Sequence, residues 1–276
     1  MKEATRKYGG YVLFALVVLF IFAWLRMPSE AVRSLLLSAL SKNQAEMQLR
    51  FDSAQLVFPF GVTLTGFSVQ KKDGRGLRID AETVTAHLAL LSLLTGHVAL
   101  RIQATAMGGR IDGDITFRNR FSASGPVQAD MRFGNINAAD CPWLAEILGR
   151  QIRGRVDGQV RFDGLPGQWM AGSGHLELAL VNGLVSFRDT QFGLDEMIVT
   201  RMEGNMDLES GTLKVNLFQV AGENLQGAFQ GNVRLEADFS RSQLALRGDV
   251  NLPTAGRERF AVEVTGTVAS PVVTPI

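Results

Sequence analysis

The chain has 276 residues, 46% of them hydrophobic and 20% charged, with a formal net charge of +1. That composition fits a folded chain, argues against disorder, and leaves no global field to draw in nucleic acid or another polyanion. A single cysteine, Cys141, excludes an intramolecular disulfide and a cysteine metal cage.

Tyr11 to Leu25 reads YVLFALVVLFIFAWL, without a charge. With its flanks the stretch approaches the ~20 residues that cross ~30 Å of hydrocarbon. Tyr11, Leu13, Phe14, Leu16, Val17, Val18, Leu19, Phe20, Ile21, Phe22, Trp24 and Leu25 are therefore expected to form a membrane anchor. Lys2, Arg6 and Lys7 precede it, which places the N-terminus in the cytoplasm and the remainder across the membrane. Trp24-Leu25-Arg26-Met27-Pro28 lacks a small-x-small cleavage site, which argues against a removed signal peptide. No other stretch is apolar for long enough to span.

Pro28 to Asn43 reads as a short amphipathic helix. Ser29 can cap it, and Glu30 sits in the first turn, where the helix dipole favours an acid. Val32, Leu35, Leu36, Ala39 and Leu40 recur at helical spacing and form its apolar face. That face either packs on the following sheet, or lies on the outer leaflet or caps the end of a groove. The chain divides into a cytoplasmic tail and transmembrane helix (1–27), a juxtamembrane amphipathic helix (28–45) and a β-rich domain (46–276).

From Glu46 onward the period is two. Met47, Leu49 and Phe51 begin it; Val62 and Leu64 follow, then Val84 to Leu90, Val98 to Ala106 and Ile111 to Phe117. Val156 to Phe162, Leu176 to Leu180, Leu213 to Leu217, a long run from Leu225 to Phe239, and Phe260 to Val268 continue it. Strands with one apolar and one polar row belong in antiparallel sheets. The spacing predicts a large, mainly β fold with one helical insertion from Ala138 to Leu148, in which Asp140 could cap. A short helix is also expected at Leu91–Leu94. Turn signals include Lys72-Asp73-Gly74, Asn119-Arg120, Ser124-Gly125-Pro126, Asp163 to Pro166, Glu209-Ser210-Gly211 and Ala221 to Asn224. Asn182-Gly183 is the strongest tight-hairpin candidate. A glycine-spaced strand type recurs at Gly109–Phe117, Ile152–Phe162 and Leu225–Leu235, without a constant period.

Residues that could carry chemistry are scattered. His87, His97 and His175 lack a second ligand at metal spacing. Cys141, beside Pro142 and Trp143, reads as a small buried thiol. Asp112 and Asp114 share a strand face without the rest of a calcium loop. Gly172-Ser173-Gly174 is not a nucleophile elbow, and no phosphate loop or dinucleotide fingerprint is present. No catalytic residue, cofactor or metal is expected, nor any nucleic-acid partner.

Several short motifs resemble the type II secretion system protein N family (GspN, long form). They are Met27-Pro28-Ser29-Glu30-Ala31, Gly61 to Phe67, Leu77 to Asp80, LLSLLTG from Leu90 to Gly96, Gly108 to Gly113 and Gly266 to Pro271. The resemblance extends more distantly to AsmA-like inner-membrane proteins, which implies a large, curved antiparallel sheet. It implies a non-enzymatic accessory component that crosses the inner membrane once. Its β domain would be periplasmic and contact other secretion-system subunits. The AsmA-like alternative is a periplasmic protein that binds or transfers lipid on the apolar face of its sheet.

Overall fold

The alternation that begins at Met47 lets each strand present one apolar and one polar row, and the strands assemble into one sheet. The computed structural model describes residues 47–71, 78–120, 125–141, 143–145, 151–191, 194–223, 225–252 and 258–276. The expected anchor and amphipathic helix lie outside these residues.

In chain order the described strands are β1 (Met47–Arg50), β2 (Ser53–Val57), β3 (Gly61–Lys71), β4 (Arg78–Leu88), β5 (His97–Ala106), β6 (Gly109–Arg120), β7 (Val127–Asn137), β8 (Ile152–Gly164), β9 (Ser173–Gln191), β10 (Leu194–Glu209), β11 (Thr212–Gly222), β12 (Gln226–Arg234), β13 (Gln243–Leu252), β14 (Glu258–Gly266) and β15 (Pro271–Pro275). All belong to one sheet, antiparallel throughout, and from β3 to β15 each strand pairs with the next in sequence. β1 and β2 both pair with the outer edge of β3: Met47 lies opposite Lys71, and Val57 opposite Gly61. They act as one edge strand broken at Phe51 and Asp52. Helix α1 (Leu90–Leu94) joins β4 to β5, and 3-10 turns occupy Ala138–Asp140, Pro166–Ala171 and Phe239–Arg241.

Two hairpins are as tight as the chain allows. Met107 and Gly108 join β5 to β6 with φ of 52° and 68°; Ser210 and Gly211 join β10 to β11 with φ of 46° and 80°. Positive φ at both central positions matches the twist of the flanking strands. Asn182-Gly183 is not a hairpin. Asn182 takes φ 51° as a bulge inside the 19-residue strand β9, which pairs with β8 on one side and β10 on the other. Two long ladders outweigh a local turn preference there. Asn135 forms another bulge, at the register shift between Phe133 and Ile136. Strand β8 stabilises it: Asn135 N–H donates to Asp157 Oδ1 at 2.8 Å, and Arg155 donates to its carbonyl at 3.3 Å. Such bulges bend their strands locally.

The helical insertion is a 3-10 turn at Ala138–Asp140 followed by helical residues 143–145. Asn137, not Asp140, caps the 3-10 turn, accepting from Ala139 N–H at 3.3 Å. The long run expected through Phe239 stops at Arg234. Ser242 Oγ accepts from Glu236 N–H, and Asp238 caps the following turn through Ser240 N–H. These bonds carry Phe239 back over the apolar face, against a cluster built on Val215, Val233 and Leu235.

The main core lies on that face in the C-terminal half. Val185, Met197, Val199, Val220, Leu225, Val250 and Val262 pack as one cluster, with Val199 and Val262 at 0% exposure. A smaller cluster around Phe51 and Ala54 seals the β1–β2 edge.

Candidate interaction surfaces

Between the two clusters the apolar face stays open. Across β4 to β9 it presents Val84, Leu100, Ile102, Ile111, Ile115, Met131, Phe133, Val160, Phe162 and Leu178, all only half-buried. Gly158 sits among them on β8. A Cβ there would overlap the Phe133 ring and the Glu177 carbonyl, so glycine lets the ring lie flat across the strand. The result is a broad apolar surface with shallow relief.

The opposite face is polar and ordered by charge. Strand register aligns Arg101, Asp114, Asp130, Arg161, His175, Asp207 and Lys214 in one row from β5 to β11. Arg101 pairs with Asp114 at 3.0 Å and Arg161 with Asp130 at 3.5 Å. Gln159 donates to Asp130 at 2.8 Å, which eases the meeting of Asp114 and Asp130. Arg118–Asp163 and Arg201–Glu203 are further pairs on this face.

His175 is the best-held member of the row. Its Nδ1 lies 2.6 Å from Asp207 Oδ1 and its Nε2 3.1 Å from Glu177 Oε1. Asn216 donates to Asp207 at 2.6 Å and to Asn205 at 3.0 Å, and Asn205 donates to Glu177 at 3.4 Å. The ring of contacts closes over β9, β10 and β11. Hydrogen bonds accepted by Asp207 first, then by Glu177, raise the His175 pKa above its ordinary value. The same bond from His175, then that from Asn216, holds the Asp207 carboxyl below its own.

The other singled-out residues stay apart. His87 packs against Gly61, and His97 contacts Thr95. Arg110 donates to Asp112 at 2.7 Å while Arg101 holds Asp114, so each carboxylate has its own arginine. The Cys141 thiol is buried and donates to Met107 Sδ at 3.0 Å; burial, then the nearby Asp140 charge, raises its pKa. A thiol in that state is a poor nucleophile. Among the described residues no cluster of three or more His, Cys, Asp or Glu could hold a metal ion.

The two sheet edges differ. Ile276 N–H donates to the Ala261 carbonyl, which fixes the β14–β15 ladder so that residues 271, 273 and 275 direct their backbone outward. Two of those three are prolines without an N–H, leaving Val273 as the one outward donor of β15. At the other edge, Leu88 N–H donates to the Phe60 carbonyl, which turns Ala54 and Leu56 N–H outward from β2. No described strand pairs with that edge.

A family model for protein N of the type II secretion system (T2SS) matches residues 68–272. The chain belongs to this family. No curated protein and no solved structure matches it. In this protein N family member the match runs from the end of β3 into β15, so it covers nearly the whole sheet. The expected anchor side chains from Tyr11 to Leu25, and the helical face of Val32, Leu35, Leu36, Ala39 and Leu40, lie outside the described residues. Neither the hairpin at Met107-Gly108 nor the ring around His175 was foreseen from sequence. A glycine between two period-two runs was the available signal for the first. Nothing local could reveal the second.

Proposed function

We propose that this protein is a non-enzymatic accessory component of a type II secretion system, anchored once in the inner membrane by residues 11–25. In this reading its tail is cytoplasmic and its β domain periplasmic. The family match over residues 68–272 carries the reading. The domain works by contact with other secretion-system subunits, and the β1–β2 edge suits this because no described strand pairs with its outward Leu56 N–H. The β15 edge, blunted by Pro271 and Pro275, suits it less. Deleting the gene should leave folded substrates of the secretion system stranded in the periplasm, as measured by their export. Undiminished export would rule the role out.

A second reading follows from the half-buried apolar face over β4 to β9, since large exposed apolar areas mark binding. That face would hold acyl chains, as in the AsmA-like alternative. Mass spectrometry of the purified chain would then find co-purified lipid, and lipid-free protein would remove this reading.

A further inference from the structure

Nine large apolar side chains stand exposed among the described residues, and six of them, Phe58, Leu90, Leu91, Leu94, Leu165 and Trp169, lie on connections at one end of the sheet. The densest group is at the β2–β3 turn and α1. These two elements are neighbours, because the Leu88 N–H that ends β4 donates to the Phe60 carbonyl at 3.0 Å and Gly61 pairs with His87. Phe58 is 63% exposed, Leu91 80% and Leu94 84%. Leu91 and Leu94 are three apart on α1 and project from the same side. No Asp, Glu, Lys or Arg occurs from Ser53 to Gln70 or from Thr83 to Leu100. The tip is therefore apolar, uncharged and protruding.

Leucines projecting from a convex tip offer a protein partner little to enclose, whereas a lipid leaflet closes around any protruding apolar group. The geometry of the chain selects which leaflet. β1 starts at the end of β3 away from the tip, and the 11 residues of β3 reach about 36 Å at roughly 3.3 Å each. Residues 28–46, with the helix expected over 28–43 at roughly 1.5 Å per residue and the rest extended at roughly 3.3 Å each, reach about 34 Å, close to the length of β3, so the tip can return to the bilayer that holds residues 11–25. Tethering at this distance gives that bilayer a high effective concentration, ahead of any other apolar phase. We propose that the tip formed by the β2–β3 turn and α1 inserts Phe58, Leu91 and Leu94 into the outer leaflet of the bilayer that carries the chain's own anchor. This rests on the anchor proposed above. It sets the open apolar face of β4 to β9 beside that leaflet.

The test uses the full chain in proteoliposomes of phosphatidylethanolamine and phosphatidylglycerol, with a spin label on Leu91→Cys, on Leu94→Cys and on Gln103→Cys of the polar face. The buried Cys141 leaves the unsubstituted chain as an unlabelled control. Collision with lipid-soluble oxygen, relative to a water-soluble nickel chelate, should be several-fold higher at 91 and 94 than at 103. Equal water exposure at all three sites overturns the proposal. So does a lipid signature that arises only after a second population of vesicles, or a partner protein, is added. Carbonate extraction of the unlabelled chain scores the anchor separately. Release from the membrane overturns the anchor and the tether argument with it, while retention with water-exposed labels overturns the tip alone.

Discussion

At the scale of single residues, His175 shows how a modest side chain gains a role from register. Period two places His175 and Glu177 on one face, but only strand pairing brings Asp207 and Asn216 to them. The pKa directions define a pH window. A histidine raised above its ordinary 6.5 adds stability that is complete below that value and fades as pH rises through the raised folded value. A carboxyl lowered below its ordinary 3.8 adds stability that is complete above that value and fades as pH falls through the lowered one. The ring is therefore strongest between the two ordinary values, in mild acid. Replacing His175 with Gln should lower the unfolding midpoint at pH 5.5 and lose its effect in alkali, which denaturant titrations at several pH values would measure. The difference should be below about 1 kcal/mol, because both partners are open to solvent. Val262 is the opposite case. At 0% exposure, Val262→Ala removes two buried methyl groups and leaves a cavity, and about 2 kcal/mol of stability should go with them in the same titrations.

At the scale of elements, the strands read from sequence were legible because each alternates over its run, as β6 does with Ile111, Gly113, Ile115 and Phe117 on one side, whereas β2, β7, β10, β13 and β15 were not among the runs named. Turns were legible only where chemistry and topology agree. Ser210-Gly211 turns the chain because strands on both sides are free to pair with each other. Asn182-Gly183 has the better local signal and fails, because β8 and β10 capture the residues on either side of it. The motifs that carry the family resemblance fall at such places: Gly61 beside the His87 ring, Gly108 in the β5–β6 hairpin, and Gly266 at φ 85° before the last turn. They mark backbone geometry, which explains why they predicted the fold without naming a reactive group. At the C-terminal edge, Pro271 and Pro275 deny outward donors to a passing strand. Changing both to threonine supplies those donors, and the variant should self-associate with increasing concentration in analytical ultracentrifugation while the native chain does not.

For the whole molecule, packing is uneven along a single layer. The cluster from Val185 to Val262 is buried, whereas the same face of β4 to β8 is mostly half-buried, with Ala106, Val127 and Ile136 buried toward the strand ends. Amides of Val199, Val250 and Val262 should therefore exchange hydrogen most slowly, and those of β4 to β7 should open at lower cost, as exchange mass spectrometry would resolve. Sequence by itself determined the apolar and polar rows, the antiparallel class and the family motifs, because these depend on spacing within one strand. Tertiary structure alone decided which rows are covered, which edge keeps its donors, and that the β2–β3 turn stands beside the end of β4 that leads into α1. Those outcomes depend on register and curvature summed over many strands, and no local stretch of chain encodes that sum.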